Sequence, residues 1–110
     1  MSTIEERRRA SRIIASLAVV VSQGGDHYVV ETENISETGL CLRSEEVFPV
    51  GTQHRLLLAR PPELPPLSAE GIVRWCVGGE GVGVEFTSMS PDDRRALLRF
   101  VNSQSRCEQA

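Results

Sequence analysis

Residues 13–104 predict a mainly β fold, a six-stranded antiparallel split β-barrel closed by one C-terminal α-helix. Three observations lead there. Short runs rich in β-branched and aromatic residues recur along the chain, several of them alternating apolar with polar. Glycine, proline and small polar residues separate these runs at intervals too short for crossover helices, which points to antiparallel neighbours. Only one helical pattern stands out, and it comes last.

Ile13–Val21 is apolar and largely β-branched, which suits a strand. Gln23-Gly24-Gly25-Asp26 supplies turn residues, and Tyr28–Ile35 resumes with Tyr28, Val30 and Thr32 alternating against Glu31 and Glu33, so the two runs form a hairpin. Ser36–Gly39 turns the chain into Leu40–Arg43, where Leu40 and Leu42 share a face. Pro49-Val50-Gly51 breaks the chain before Gln53–Ala59, with Leu56 and Leu58 on one side. Residues 61–66, Pro-Pro-Glu-Leu-Pro-Pro, cannot join a central ladder and form a stiff connection. Leu67–Val77 is a strand with Ala69, Gly71, Val73, Trp75 and Val77 on one face, followed by a turn at Gly78–Gly81. In the last strand Val82, Val84 and Phe86 alternate with Gly83 and Glu85. Trp75 and Phe86 are expected core anchors, with ligand stacking the alternative for Trp75.

The helix has a complete start signal: Ser90 as N-cap, Pro91 at the first position, and Asp92 and Asp93 in the first turn. Leu97, Leu98, Phe100 and Val101 make its apolar stripe, and Arg94, Arg95 and Arg99 occupy the solvated face. The expected division is an arginine-rich arm over 1–12, the barrel and helix over 13–104, and a tail over 105–110.

At 110 residues the chain is one domain, and 40% hydrophobic with 25% charged residues reads as globular. The longest apolar run, Leu17–Val21, is too short to span a bilayer, and no signal-peptide pattern opens the chain, so the expected address is the cytoplasm. A net charge of −3 argues against a nucleic-acid track and excludes DNA as an expected partner. Yet Arg7, Arg8, Arg9 and Arg12 crowd into six residues. A local cationic cluster on an acidic body favours a small anion. All twelve basic residues are arginine, so the clustering carries the information and the choice over lysine does not.

Cys41, Cys76 and Cys107 are widely spaced, and His27 and His54 are isolated, so no metal or Cys–His catalytic spacing exists. Both histidines are expected at the surface or a strand edge. The chain is therefore not expected to be an enzyme, and no cofactor is expected.

Two motifs remain: Arg8-x-x-x-Arg12, with Arg7 and Arg9 beside it, and Asn34-x-Ser36-x-x-Gly39. Taken alone, the second is a turn, with Asn34 or Ser36 holding it and Gly39 at positive φ. Taken together, a cluster before the first strand and a turn after the second can meet at one barrel end. Their order and spacing resemble the PilZ domain, a bacterial receptor module for cyclic di-GMP. The resemblance extends through Gly71-x-Val73-x-Trp75, Gly81–Phe86 and the final helix.

This resemblance implies that Arg8, Arg9, Arg12, Asn34, Ser36 and Gly39 bind cyclic di-GMP, with Arg7 an additional contact. Arginine forks suit guanine edges and phosphates and can stack on a base. Asn34 and Ser36 offer short polar groups to a guanine, and Gly39 allows close backbone approach. It further implies an arm that orders on binding, a ligand taken up as an intercalated dimer, and a signal passed to a partner protein in motility, biofilm or secretion control. On the residues alone other readings stay open: a protein-interaction adaptor that does not bind the nucleotide, an arginine arm meeting an acidic protein or RNA, and a flavin-binding barrel.

Overall fold

The computed structural model describes residues 12–60, 65–78 and 80–109, with side chains for all of these but Arg12 and residues 104–109. The expectations placed on Arg7, Arg8, Arg9 and the rest of residues 1–11 lie outside the described residues.

Seven strands precede one helix: β1 (Arg12–Ile14), β2 (Ala18–Gln23), β3 (Asp26–Ser36), β4 (Gly39–Arg43), β5 (Gln53–Leu58), β6 (Leu67–Val77), β7 (Gly81–Met89) and α1 (Pro91–Gln109). Six strands close a ring in the order β3, β2, β5, β6, β7, β4, the β3–β4 pairing completing it, and β1 is an extra strand on β3. Every pairing is antiparallel. The expected barrel and helix are thus found.

Ile13–Val21 is two strands, however, where the sequence pattern gave one. The division falls where β3 exchanges partners along one edge: Asp26–Glu31 pair with β2, and Asn34–Ser36 pair with β1. Thr32 sits at the exchange, 1% exposed. Its hydroxyl donates to the Ala15 carbonyl and accepts from the Leu17 amide at 2.9 Å, and its own amide donates to the Leu17 carbonyl at 2.9 Å. One side chain thereby satisfies backbone groups that the broken ladder leaves unpaired.

The interior is aliphatic. Ile13, Val19, Ile35, Leu42, Leu56, Leu58, Val82 and Leu97 are fully buried. α1 starts as expected, with the Asp93 amide donating to Ser90 Oγ at 3.1 Å. Asp93 Oδ2 in turn accepts from the Ser68 amide at 3.2 Å and ties the helix start to β6. Leu97 and Val101, one helical turn apart, then bury against the core at the barrel end that β1 and the close of β3 reach.

The opposite end holds Phe48, from the β4–β5 loop, the largest fully buried side chain among the described residues. It meets Tyr28 edge-on at 5.9 Å and His54 at 5.5 Å between ring centroids. His54 is therefore buried, not at the surface as its isolation in the sequence implied. Its Nδ1 donates to the Ser22 carbonyl at 3.0 Å, and its Nε2 meets the Thr52 hydroxyl at 2.7 Å. Both ring nitrogens are engaged, which makes burial tolerable.

Three register shifts decide which side chains face inward. On β3, Val30 and Thr32 point in; the shift between Thr32 and Asn34 then moves the inward position to Ile35. On β6, Leu67, Ala69, Gly71 and Val73 point in, and the shift between Val73 and Trp75 turns the next positions out. Trp75 is consequently 44% exposed and is no core anchor, while Phe86 is half-buried against the core.

Two stability measurements test this assembly. Phe48→Ala should lower the unfolding free energy by about 3–5 kcal/mol in urea titration, because a large buried ring leaves a cavity. Thr32→Val keeps the shape and removes the hydroxyl bridge; it should cost about 1–3 kcal/mol by leaving buried backbone groups unpaired.

Candidate functional site

The β3–β4 turn is built around Ser36, which is 1% exposed. Ser36 Oγ accepts from the Thr38 amide at 3.2 Å, lies 3.0 Å from the Thr38 hydroxyl, and donates to the Gly39 carbonyl at 3.3 Å. A serine two residues before the amide it accepts from is the local geometry that favours such turns. Ser36 is thus committed to shaping the turn that carries Thr38 and Gly39.

Gly39 does not have the positive φ expected of a turn glycine; among the described residues that conformation belongs to Gly24, Gly25 and Gly51. What requires glycine is proximity. A Cβ at position 39 would stand 2.2 Å from the Val84 carbonyl oxygen, so β4 and β7 approach each other only without one. The Phe86 amide donates to the Thr38 carbonyl at 2.9 Å and fixes this contact.

Asn34 lies two residues before Ser36, on the stretch of β3 flanked by β1 and β4. Its Oδ1 is buried and has no hydrogen-bond partner among the described residues. A buried, unpaired carbonyl oxygen is costly in a free protein and uncommon enough to call for an explanation. It is an acceptor ready for a donor that the described part of the fold does not supply.

The ladder places these groups in a line. Ile13, Ile35, Leu40, Val84 and Val73 are successive partners across five strands, and all are buried in the core. One residue over, the successive partners are Ile14, Asn34, Cys41, Gly83 and Trp75. By strand alternation this second row lies on the outer surface. Its ends are exposed and apolar, Ile14 and Trp75, and its middle is small or polar. The indole of Trp75 lies across Gly83, where a Cβ would meet its Nε1 at 2.0 Å. Beside Trp75, Arg74 Nε donates to Glu85 Oε1 at 2.6 Å, an exposed pair of small energetic weight. A depression of about 210 Å³ lies over the Trp75 end of the row, lined by Thr38, Gly39, Cys41, Arg74, Trp75 and Glu85.

Of the residues expected from the sequence, Asn34, Ser36 and Gly39 therefore meet on one surface. Arg12 stands directly opposite Ser36 in the β1–β3 register, so the start of β1 lies beside the same turn. Ile14 and Cys41 were not singled out as site residues in the sequence, and Trp75 only through the alternative of ligand stacking. Only pairing across strands brings them there, and no local pattern encodes that.

A larger cavity of about 350 Å³ is apolar and sits under α1 between Leu17, Leu58, Leu67, Leu97 and Phe100; none of the expected site residues lines it. Among the described residues no group of three or more histidine, cysteine, aspartate or glutamate side chains is placed to hold a metal ion. No helix among them is long and apolar enough to cross a membrane.

Comparison with known proteins follows the geometry. The fold is similar to that of the Bacillus subtilis inhibitor of motility, MotI or DgrA, with a TM-score of 0.77 and 22% identity over 90% of this chain and 51% of that one. This chain thus spans about half of that protein's length. It is also similar to the PilZ domain of YcgR from Escherichia coli with c-di-GMP, with a TM-score of 0.72 and 17% identity over 94% and 95% of the two chains. A PilZ domain of CeSA from a cellulose-synthesizing bacterium gives a TM-score of 0.62 and 17% identity over 84% and 95%. At such identities these likenesses establish the fold alone. No curated protein matches the sequence. The sequence itself matches the family described as PilZ domain over residues 6–103, nearly its whole length, and the chain belongs to that family.

Proposed function

We propose that this chain is a cyclic di-GMP receptor and adaptor whose arginine-rich arm closes over the outer row beside the 34–39 turn. The observation that carries the reading is the buried Oδ1 of Asn34, which has no hydrogen-bond partner among the described residues and lies on the stretch of β3 paired with β1. Guanine presents adjacent N–H donors at N1 and N2 on its Watson–Crick edge, and a fixed acceptor oxygen can take one of them. Arg8, Arg9 and Arg12, with Arg7 beside them, supply the complementary chemistry: forks for phosphate oxygens and for the guanine O6 and N7 edge. The ligand's guanines and phosphates ask for both.

Gly39 and Ser36 then contribute through the turn. Gly39 keeps β4 against β7, and Ser36 holds Thr38 and Gly39 at the lip of the depression. Clamping by the arm changes the surface a partner protein meets, which is how ligand occupancy becomes an output. The expectation of two stacked ligands per chain, and of a cytoplasmic role in motility or biofilm control, belongs to this reading. So does the absence of a catalytic step: the groups assembled bind and orient, and none activates a nucleophile.

The commitment of Ser36 to its own turn favours a second reading, an adaptor of the same fold that does not bind the nucleotide. Isothermal titration of the chain with cyclic di-GMP, with GTP and cyclic AMP as controls, separates the two. The receptor reading expects saturable, selective binding with two ligands per chain; no heat would leave the adaptor.

Asn34→Ala supplies an independent check. It should weaken binding about tenfold, the loss of one hydrogen bond. The melting temperature of the free chain should not fall, since the oxygen removed stabilises nothing in the described fold. Arg12→Ala should abolish binding while the barrel stays folded, read by calorimetry and circular dichroism together.

A further inference from the structure

We infer that Ile14 is an apolar contact for the ligand: it covers the face or edge of the guanine held at Asn34 and sets the arm-side boundary of the site. This inference rests on the receptor reading above. It concerns a residue outside both sequence motifs.

Ile13 and Ile14 are adjacent isoleucines with opposite fates. Ile13 is fully buried beside Ile35, whereas Ile14 is 83% exposed. An isolated exposed aliphatic residue is ordinary, and exposure alone would carry nothing. The position is what matters. Ile14 is the direct cross-strand partner of Asn34, so their Cβ atoms lie on one face roughly 5 Å apart. The side chain therefore adjoins the one Asn34 oxygen that is buried and unpaired among the described residues. A donor arriving at that oxygen brings its ring to Ile14.

The far end of the same row is closed by another exposed apolar side chain, Trp75. Between them lie four strand spacings, roughly 19 Å measured along the sheet. Asn34, Cys41 and Gly83 fill the interval with short side chains. A row with a small or polar middle and apolar ends fits a ligand with planar faces and polar edges. It fits an extended peptide poorly, since the closed ring leaves β3 and β4 paired on both sides and offers no strand edge for augmentation there.

The neighbouring charge has a different place in the register. Arg12 is the partner of Ser36, two residues from Ile14 on the same strand, so both belong to the face that carries Asn34 and Ser36.

The test is calorimetric titration of the full chain with cyclic di-GMP, comparing the unaltered protein with Ile14→Thr and Ile14→Val. Both variants keep the β-branch that suits β1. Ile14→Thr should bind about tenfold more weakly, the scale expected for losing on the order of 50 Å² of apolar contact. Ile14→Val should stay within about threefold of the unaltered chain, on the same scale. Because the contact is apolar, the ratio between Ile14→Thr and the unaltered protein should hold as sodium chloride rises, whereas contacts made by charge weaken.

Affinity of Ile14→Thr within about twofold of the unaltered chain would overturn the assignment and leave the receptor reading standing. A weakened affinity accompanied by a lower melting temperature of the free variant would also overturn it, by making Ile14 structural. If the unaltered chain binds no cyclic di-GMP, the receptor reading fails and the role of Ile14 fails with it.

Discussion

The pairing of β3 with β4 is the constraint on which the rest of the molecule depends. It closes the ring, so that each of the six ring strands has a neighbour on both sides and the sheet keeps no open barrel edge. Closure also fixes phase. Once the ring is complete, the inward or outward direction of every side chain follows from register alone, and no strand can slide independently. On the other side of β4, Gly39 allows the close approach of β7 that continues the ring, since the Val84 carbonyl occupies the space a side chain would need. The residue that most resembles a ligand contact in the sequence is in this respect a residue of strand assembly.

The candidate site is a by-product of the same ladder. The buried row through Ile13, Ile35 and Leu40 and the surface row through Ile14, Asn34 and Cys41 are one residue apart on the same strands. Hydrophobic burial stabilises the first row, and that stability positions the second without any packing among its own members. This explains how an unpaired Asn34 oxygen is tolerated: the core beneath holds the strand whatever the oxygen does. Asn34 and Ser36 are thus set on a strand, and β1 is joined to them by a three-residue pairing with β3.

What the sequence made legible was local. Alternation from Tyr28 to Thr32 and across Gln53–Leu58 identified strands, and the Ser90–Asp93 signal identified the helix start, because each depends on neighbours within a few residues. Asn34, Ser36 and Gly39 were legible for the same reason, being joined by one turn. The failures share a different cause. Trp75 was assigned inward by continuing an alternation that the shift after Val73 interrupts. Ile13–Val21 was taken as one strand because nothing within it announces that β3 changes partners at Thr32. His54 is buried because Phe48 from the loop before β5, Tyr28 from β3 and the Ser22 carbonyl from β2 gather at one barrel mouth, and a lone histidine gives no sign of that. Register is a property of strand pairs, and a single strand does not record it.

The shifts at Glu33 and Arg74 have a consequence for how such a chain can change over generations. Both residues are exposed, and by side-chain burial both look dispensable. Replacing either alters little beyond a surface charge. Deleting Glu33 would set Thr32 directly before Asn34 opposite Leu42 and Cys41 in a plain ladder, so Asn34 would stay outward and Ile35 inward, and what would be lost is the local bend that the extra residue gives the strand. At these two positions identity is nearly free, and what descent preserves through them is the curvature of the barrel wall.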